Sequence, residues 1–381
     1  MMSIQQTWRS LRSLRSDPPT PIGQDRRKRE LFSASLEQSE QYFKAAEGVG
    51  HETRPVLAFY GLSQLGRAIA VATHPDRHKS PTDWQLSGHG VRVPGLSQPT
   101  VQGNIGRLAV RDQGKGSFTQ LAQLLDSPSL SNPVPLAEIW DSIPEMNGYP
   151  LPSGGRYPAL DLSEGADCTR EDWGERGAPG VYILSGTPKN LPPLEDFLKH
   201  YPTVWPLKGL QENNYLPSPR RGLTGQIYLN PQRKYARGGF VALHGTKYRG
   251  RSFAFPALTG NSLPMHPILA WWAALYALSM LARYEPEKWA ATVNVDVSKE
   301  AIPIEQLLHE ALEAVPALAL ETMSEYSQSD QERQKSRLNK MRHYEGKEYK
   351  TFGELARTAI DKLSPKSNKG RESSRSTKRR Q

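Results

Sequence analysis

The chain has one cysteine, Cys168, among 381 residues. A single thiol excludes an intramolecular disulfide and any cysteine-based zinc site. It also points to a reducing, cytoplasmic setting. Apolar residues are scarce too, at 37%, which is low for a compact globule. Much of the deficit sits in a polar C-terminal tail and a loop-rich middle, so the rest can still bury a core. No apolar run reaches the roughly 20 residues that a membrane span needs. The longest, residues 267–282, is followed at once by Arg283 and reads as a helix buried on nearly all sides. The N-terminus lacks the apolar centre of a secretory signal, and there is no internal repeat. His74, Asp76 and His78 could ligate a metal, but a solvated polar turn is the simpler reading. Gly174, Gly177 and Gly180 are too loosely spaced, with Pro179 among them, to cradle a phosphate. We therefore expect neither a metal nor a cofactor.

Glycine and proline, by contrast, are plentiful at 31 each, which argues against a plain helical bundle. The formal charge is +10 and unevenly spread. Seven Lys or Arg lie between Lys366 and the last residue, against Glu372 alone. Such a surplus attracts polyanions, nucleic acid first, although a solvated tail has the same composition.

Hydrophobic periodicity organises the remainder. Residues 1–28 form a basic arm, with a short surface helix around Trp8 and Leu11. A helix is expected over 29–47, where Phe32, Leu36, Phe43 and Ala46 recur at helical spacing, stopped by Gly48. A second is expected over 53–74, with Thr53 as N-cap, Pro55 in the first turn and Pro75 ending it. The two should form an antiparallel hairpin. On the second helix, Leu62, Leu65, Ile69 and Ala72 share one arc, while Tyr60, Ser63, Gln64, Arg67 and His74 share the other. Gly61 and Gly66 weaken such a helix, so a neighbouring helix should approach closely there.

Residues 76–263 read as a β-rich insertion, with strands at 88–93, 107–110, 180–184 and 226–229 and a strand pair at 240–244 and 251–255. Helices are expected at 117–125 and 194–201. Residues 264–325 return to helix, with a break or kink at Pro316 and an ion pair within Arg283-Tyr284-Glu285 closing the apolar helix. Residues 326–364 should be a charged helical segment and 365–381 a disordered basic tail. The expected class is α+β, with two helical halves (29–75 and 264–325) around the β-containing middle.

Three blocks of sequence resemble the YaaC-like family of bacterial proteins. They are residues 36–47 (LEQSEQYFKAAE), Arg54-Pro55 with 59–70 (FYGLSQLGRAIA), and 278–289 (LSMLARYEPEKW). The resemblance brackets most of the chain and implies no mechanism. A second resemblance, at the level of fold, is to HEPN domains. Many of these carry an Arg, four to six residues, and then a His near a helix end. Arg67 and His74 fit that spacing, although Ala68 stands where HEPN ribonucleases often have a polar residue.

The resemblance implies a metal-independent ribonuclease working as a homodimer. His74 would be the acid/base group, Arg67 would hold the phosphate, and Tyr60 and Ser63 would orient the RNA. Against this, Arg67 could pair with a carboxylate and His74 could merely end the helix. Two basic runs interleaved with tyrosine, containing Arg233, Lys234 and Arg237, then Lys247, Arg249 and Arg251, suit stacking plus phosphate contact or an exposed, solvated hairpin equally well. Two readings thus stay open: an RNA-binding or RNA-cleaving protein, and a non-catalytic scaffold holding a protein partner.

Overall fold

The computed structural model describes residues 2–19, 22–23, 25–74, 84–96, 103–164, 182–188, 191–205, 215–216, 225–229 and 239–326. The expected hairpin is present as α2 (Arg26–Glu47) and α3 (Arg54–Thr73). Asp25 caps α2 by accepting from the N–H groups of Arg27 and Lys28, and Gly48 ends it. The turn between them is held by Arg54, whose guanidinium donates to the carbonyls of Ala46 (3.0 Å) and Val49 (2.8 Å). The Ala46 carbonyl is one that a helix end otherwise leaves without a partner, and that of Val49 belongs to the turn itself. Thr53 precedes α3 but makes no side-chain cap.

α3 is the central helix. It packs against α2, α8 (Pro267–Tyr284) and α10 (Ala301–Tyr326), and 13 of its 20 residues are buried. That explains its two glycines. A Cβ on Gly61 would lie 2.7 Å from the Phe43 ring of α2, and one on Gly66 would lie 2.2 Å from Trp272 of α8. By length and composition α3 could cross a membrane, yet its apolar surface is covered by its neighbours. α8 is buried almost throughout, as its composition suggested, and the Nδ1 of His266 accepts from the Ile268 N–H at its start (3.2 Å). The N-terminal α1 (Ile4–Ser16) joins this layer through Trp8, whose ring centroid lies 5.6 Å from that of Phe43, and through Leu11. Each such burial contributes about 1.5–3 kcal/mol.

Among the described residues, two antiparallel sheets occupy the middle of the chain. The smaller contains β1 (Val91–Arg92), β2 (Ala109–Asp112) and β3 (Val134–Pro135). Helices α4 (Ser117–Leu124) and α5 (Leu136–Asp141) follow β2 and β3. The larger comprises β4 (Leu160–Glu164), β5 (Tyr182–Thr187), β6 (Tyr215–Leu216), β7 (Gly225–Leu229), β8 (Thr246–Tyr248) and β9 (Arg251–Ala254), in the order β6–β7–β5–β4–β9–β8. Leu162 pairs with Leu184 and Leu184 with Ile227, and these residues face one side at the strand period of two. With Phe197 of α6 (Leu194–Leu198) and Phe240 they form a second apolar core beside the helical one. The chain is therefore α+β.

Two local expectations are corrected. Residues 240–244 are not a strand but lie in helix α7 (Gly239–His244), and β9 pairs with β8 and β4. Phe240 and His244 are four apart, so one helical face presents both rings at 4.4 Å, and the His244 ring nitrogen reaches the Thr203 carbonyl at 2.7 Å. Nor does Pro316 end its helix, because α10 runs on to Tyr326. A short helix α9 (Pro286–Val293) links α8 to this long one. The expected segments 327–364 and 365–381 lie outside the described residues.

Candidate nucleic-acid interface

α3 leaves a narrow strip partly open: Tyr60, Ser63, Gln64 and Arg67. The seven steps from Tyr60 to Arg67 span about 10 Å along the helix. The tertiary fold brings further groups to the Tyr60 end. Tyr42 of α2 stacks on Tyr60, with ring centroids 5.8 Å apart and planes 26° apart. Arg283, in the last turn of α8, donates from Nη1 to the Tyr60 hydroxyl at 3.2 Å and from Nε to the Ser279 carbonyl at 3.1 Å. Its guanidinium carbon sits 5.8 Å from the Tyr60 ring and 5.3 Å from that of Tyr284, within cation–π reach. Tyr284 itself is 62% exposed.

His89 borders this cluster. Gly88 and Gly90 on either side have φ of +62° and +71°, a conformation that suits glycine. The imidazole lies 5.8 Å from the Phe59 ring and 5.5 Å from that of Tyr276. Cover from its surroundings, and then the charge of Arg283, hold its pKa below the usual histidine range. The expected ion pair inside Arg283-Tyr284-Glu285 is replaced by Glu285 with Lys288 at 2.9 Å. Arg283 turns to the two tyrosines instead.

Arg67 and His74 differ in exposure. Arg67 is partly exposed and donates from Nη1 to Gln64 Oε1 at 3.0 Å. His74 ends α3, its N–H bonded to the Ala70 carbonyl at 3.0 Å, and it is 4% exposed. Asp76 and His78 lie outside the described residues, as do Arg233, Lys234 and Arg237.

The second basic run forms the β8–β9 hairpin. Its two-residue turn, Arg249-Gly250, has positive φ at both positions, +48° and +75°, as a type I′ turn requires. Arginine is unusual there, and the surroundings hold it. Glu321 of α10 accepts the N–H of Arg249 and that of Gly250, both at 2.7 Å. The guanidinium donates to Glu145 Oε1 at 2.8 Å and lies 3.7 Å from Glu310 and 3.6 Å from Glu313. Beside it the buried Tyr248 hydroxyl donates to Glu145 at 2.5 Å and accepts from Trp271 Nε1 at 3.0 Å. Arg251 is ion-paired with Asp161, and both border a pocket of about 360 Å³. Lys247 is exposed. The acids around Arg249 leave little free positive charge at this turn.

Tyr42 and His89 are thus cluster members that the sequence alone did not single out, and Arg283 was expected in an ion pair and not beside Tyr60. Tyr42 was visible as an aromatic off the apolar stripe of its helix. His89 carried no local signal, and the local pattern around Arg283 pointed to a different partner.

A family model described as YaaC-like Protein matches residues 4–323, a range that contains all three sequence blocks. Neither a curated protein nor a solved structure matches the chain.

Proposed function

The chain belongs to the YaaC-like family, and we propose that it binds single-stranded RNA on the face of α3. The carrying observation is the Tyr42–Tyr60 stack with Arg283 over it, on a face where Ser63 and Arg67 continue as hydrogen-bonding and cationic groups. Aromatic faces accept bases irrespective of sequence, at about 1–3 kcal/mol per stacked base, and arginines contact the phosphates. The net charge of +10 adds long-range attraction. Binding is favoured over cleavage because His74 is 4% exposed. A general base needs hydrogen-bond reach of the hydroxyl it deprotonates, and an imidazole so covered does not offer it.

The test is fluorescence anisotropy with labelled single-stranded RNA in EDTA. Tyr60→Ala should weaken binding by about 5- to 100-fold, and Tyr60→Phe should keep most of the affinity. Arg67→Ala should reduce the salt dependence by about one unit of slope. Unchanged affinity in both Tyr60→Ala and Arg283→Ala would remove the platform from the argument. Cleavage by the wild-type protein that disappears in an Arg67→Ala/His74→Ala variant would restore the ribonuclease reading.

The scaffold reading draws on a different patch. Val295, Val297 and Ile302, between α9 and the first turn of α10, are 58%, 72% and 51% exposed, and apolar groups so open suit a protein partner.

A further inference from the structure

A second site lies away from α3. A cleft of about 540 Å³, within the size range of small-molecule pockets, opens between α5, the 153–157 loop, the residues following α6 and the 256–261 loop. Its walls are fixed. Asp141, at the end of α5, is 7% exposed, and its carboxylate accepts the N–H of Gly155 at 2.7 and 2.8 Å and that of Arg156 at 3.1 Å. Gly154 has no room for a side chain, since a Cβ there would lie 2.8 Å from Asp141 Oδ1. One turn earlier on α5, Glu138 accepts from the Thr259 N–H (3.0 Å) and hydroxyl (2.9 Å) and so fixes the 256–261 loop. The Ala257 N–H donates to the His200 carbonyl at 2.7 Å.

Two features of this fixed cleft point to a ligand. Arg107 and Arg156 both line it, are exposed, and make no ion pair among the described residues. Nearby charges do not satisfy them: Glu138 is engaged with Thr259 and Asp141 with backbone amides. Lys199 is already paired with Asp196 at 3.0 Å and Glu195 at 3.6 Å, so it is not counted. The other feature is a flat aromatic wall. His200 stacks on Tyr157 with centroids 3.6 Å apart and planes 21° apart. Burial lowers the His200 pKa, which favours an uncharged imidazole.

We propose that this cleft binds a nucleoside monophosphate, with the phosphate between Arg107 and Arg156 and the base against the Tyr157–His200 pair. Two guanidinium groups match a phosphate dianion, and the ring pair offers a π face to the base. The site is separate from the α3 face and does not depend on the RNA reading.

Isothermal titration with adenosine 5′-monophosphate, ribose 5-phosphate and adenosine tests it. Adenosine 5′-monophosphate should bind at least about tenfold more tightly than either fragment. Arg107→Gln and Arg156→Gln should each weaken it by about 10- to 100-fold. Both positions are exposed, so near-UV circular dichroism should be unchanged, and the affinity of the double variant for single-stranded RNA should equal that of the wild type. Absence of binding at millimolar nucleotide, equal binding by the double variant, or ribose 5-phosphate binding as tightly as the nucleotide would each overturn the proposal. So would a parallel loss of RNA affinity in the double variant, which would make the two sites one.

Discussion

Gly66→Ala tests the central packing of the fold, because helix propensity and tertiary packing predict opposite signs. In an isolated helix the change should stabilise by about 1 kcal/mol. Here the new methyl would lie 2.2 Å from Trp272 Cζ3 and 2.8 Å from Cη2, where carbon atoms prefer about 3.5–4.0 Å. Something must therefore move by more than an ångström. The Trp272 ring is 1% exposed and stands edge-on to Phe59 at 6.1 Å, so it cannot swing away freely. Separating α3 from α8 would loosen contacts along the whole of the buried α8 helix. Overpacking of this kind costs typically 1–3 kcal/mol and sometimes more. We take the upper part of that range, because the approach is so short. After subtraction of the propensity gain, the net loss should be about 1–2 kcal/mol. Urea unfolding followed by far-UV circular dichroism measures it. A Trp272→Phe background should shrink the penalty by about 1 kcal/mol or more, within the usual coupling range for residues in contact. A stabilising Gly66→Ala, or strict additivity of the two changes, would refute the reasoning.

Other consequences follow from the buried polar groups. Glu321→Ala should cost about 2–4 kcal/mol, since it strips two charge-assisted hydrogen bonds from the Arg249-Gly250 turn; thermal unfolding would show it, and a neutral outcome would mean that the turn holds itself. Asp141 is held above the usual carboxylate range, at about 6 instead of 3.8, by burial, against the lowering effect of the backbone N–H groups of Gly155, Arg156 and Tyr157. The folded state therefore binds the proton more tightly, and this group's stabilisation falls as pH rises from about 4 to 6, by up to about 3 kcal/mol. The difference in pH slope between wild type and Asp141→Asn reads this directly; a rising wild-type contribution would contradict it. His266 works in the other direction. Burial lowers its pKa from 6.5 to about 4, so its contribution is full above pH 6.5 and is lost as pH falls through 4. His266→Asn, which keeps a capping oxygen for Ile268, should remove that acid-side loss, and an unaltered acid limb would argue against the cap. Val297→Asp should leave the fold intact and abolish any protein partner bound at the Val295–Ile302 patch, as read by size-exclusion chromatography.

Much of this architecture was legible in one dimension. The spacing of Phe32, Leu36 and Phe43, together with Gly48 and Pro75, delimited the α2–α3 hairpin to within a few residues, because periodicity, caps and breakers act over a single turn of chain. Gly61 and Gly66 announced close helix contacts, since glycine inside a helix needs a packing reason. The family, too, was readable from three short blocks. An error came where a short apolar run fits two periods, as in residues 240–244, and at Pro316 the long packed helix continues past one unfavourable residue, which excludes a break there.

The core helices, several of the strands between them, the excess of positive charge and the polar strip from Tyr60 to Arg67 were all set by local pattern. Packing between distant segments fixed which of those polar groups are available. It covered His74 while leaving Arg67 partly open, and it set Arg283 from α8 over Tyr60, 223 residues away in the chain. It enclosed Arg249 among acids, one of them 72 residues distant. It also gathered Arg107, Arg156 and His200 around one cleft. Local pattern specifies the face that a side chain occupies on its own element. Burial, ion pairing and cleft formation depend on what the rest of the chain packs against that face.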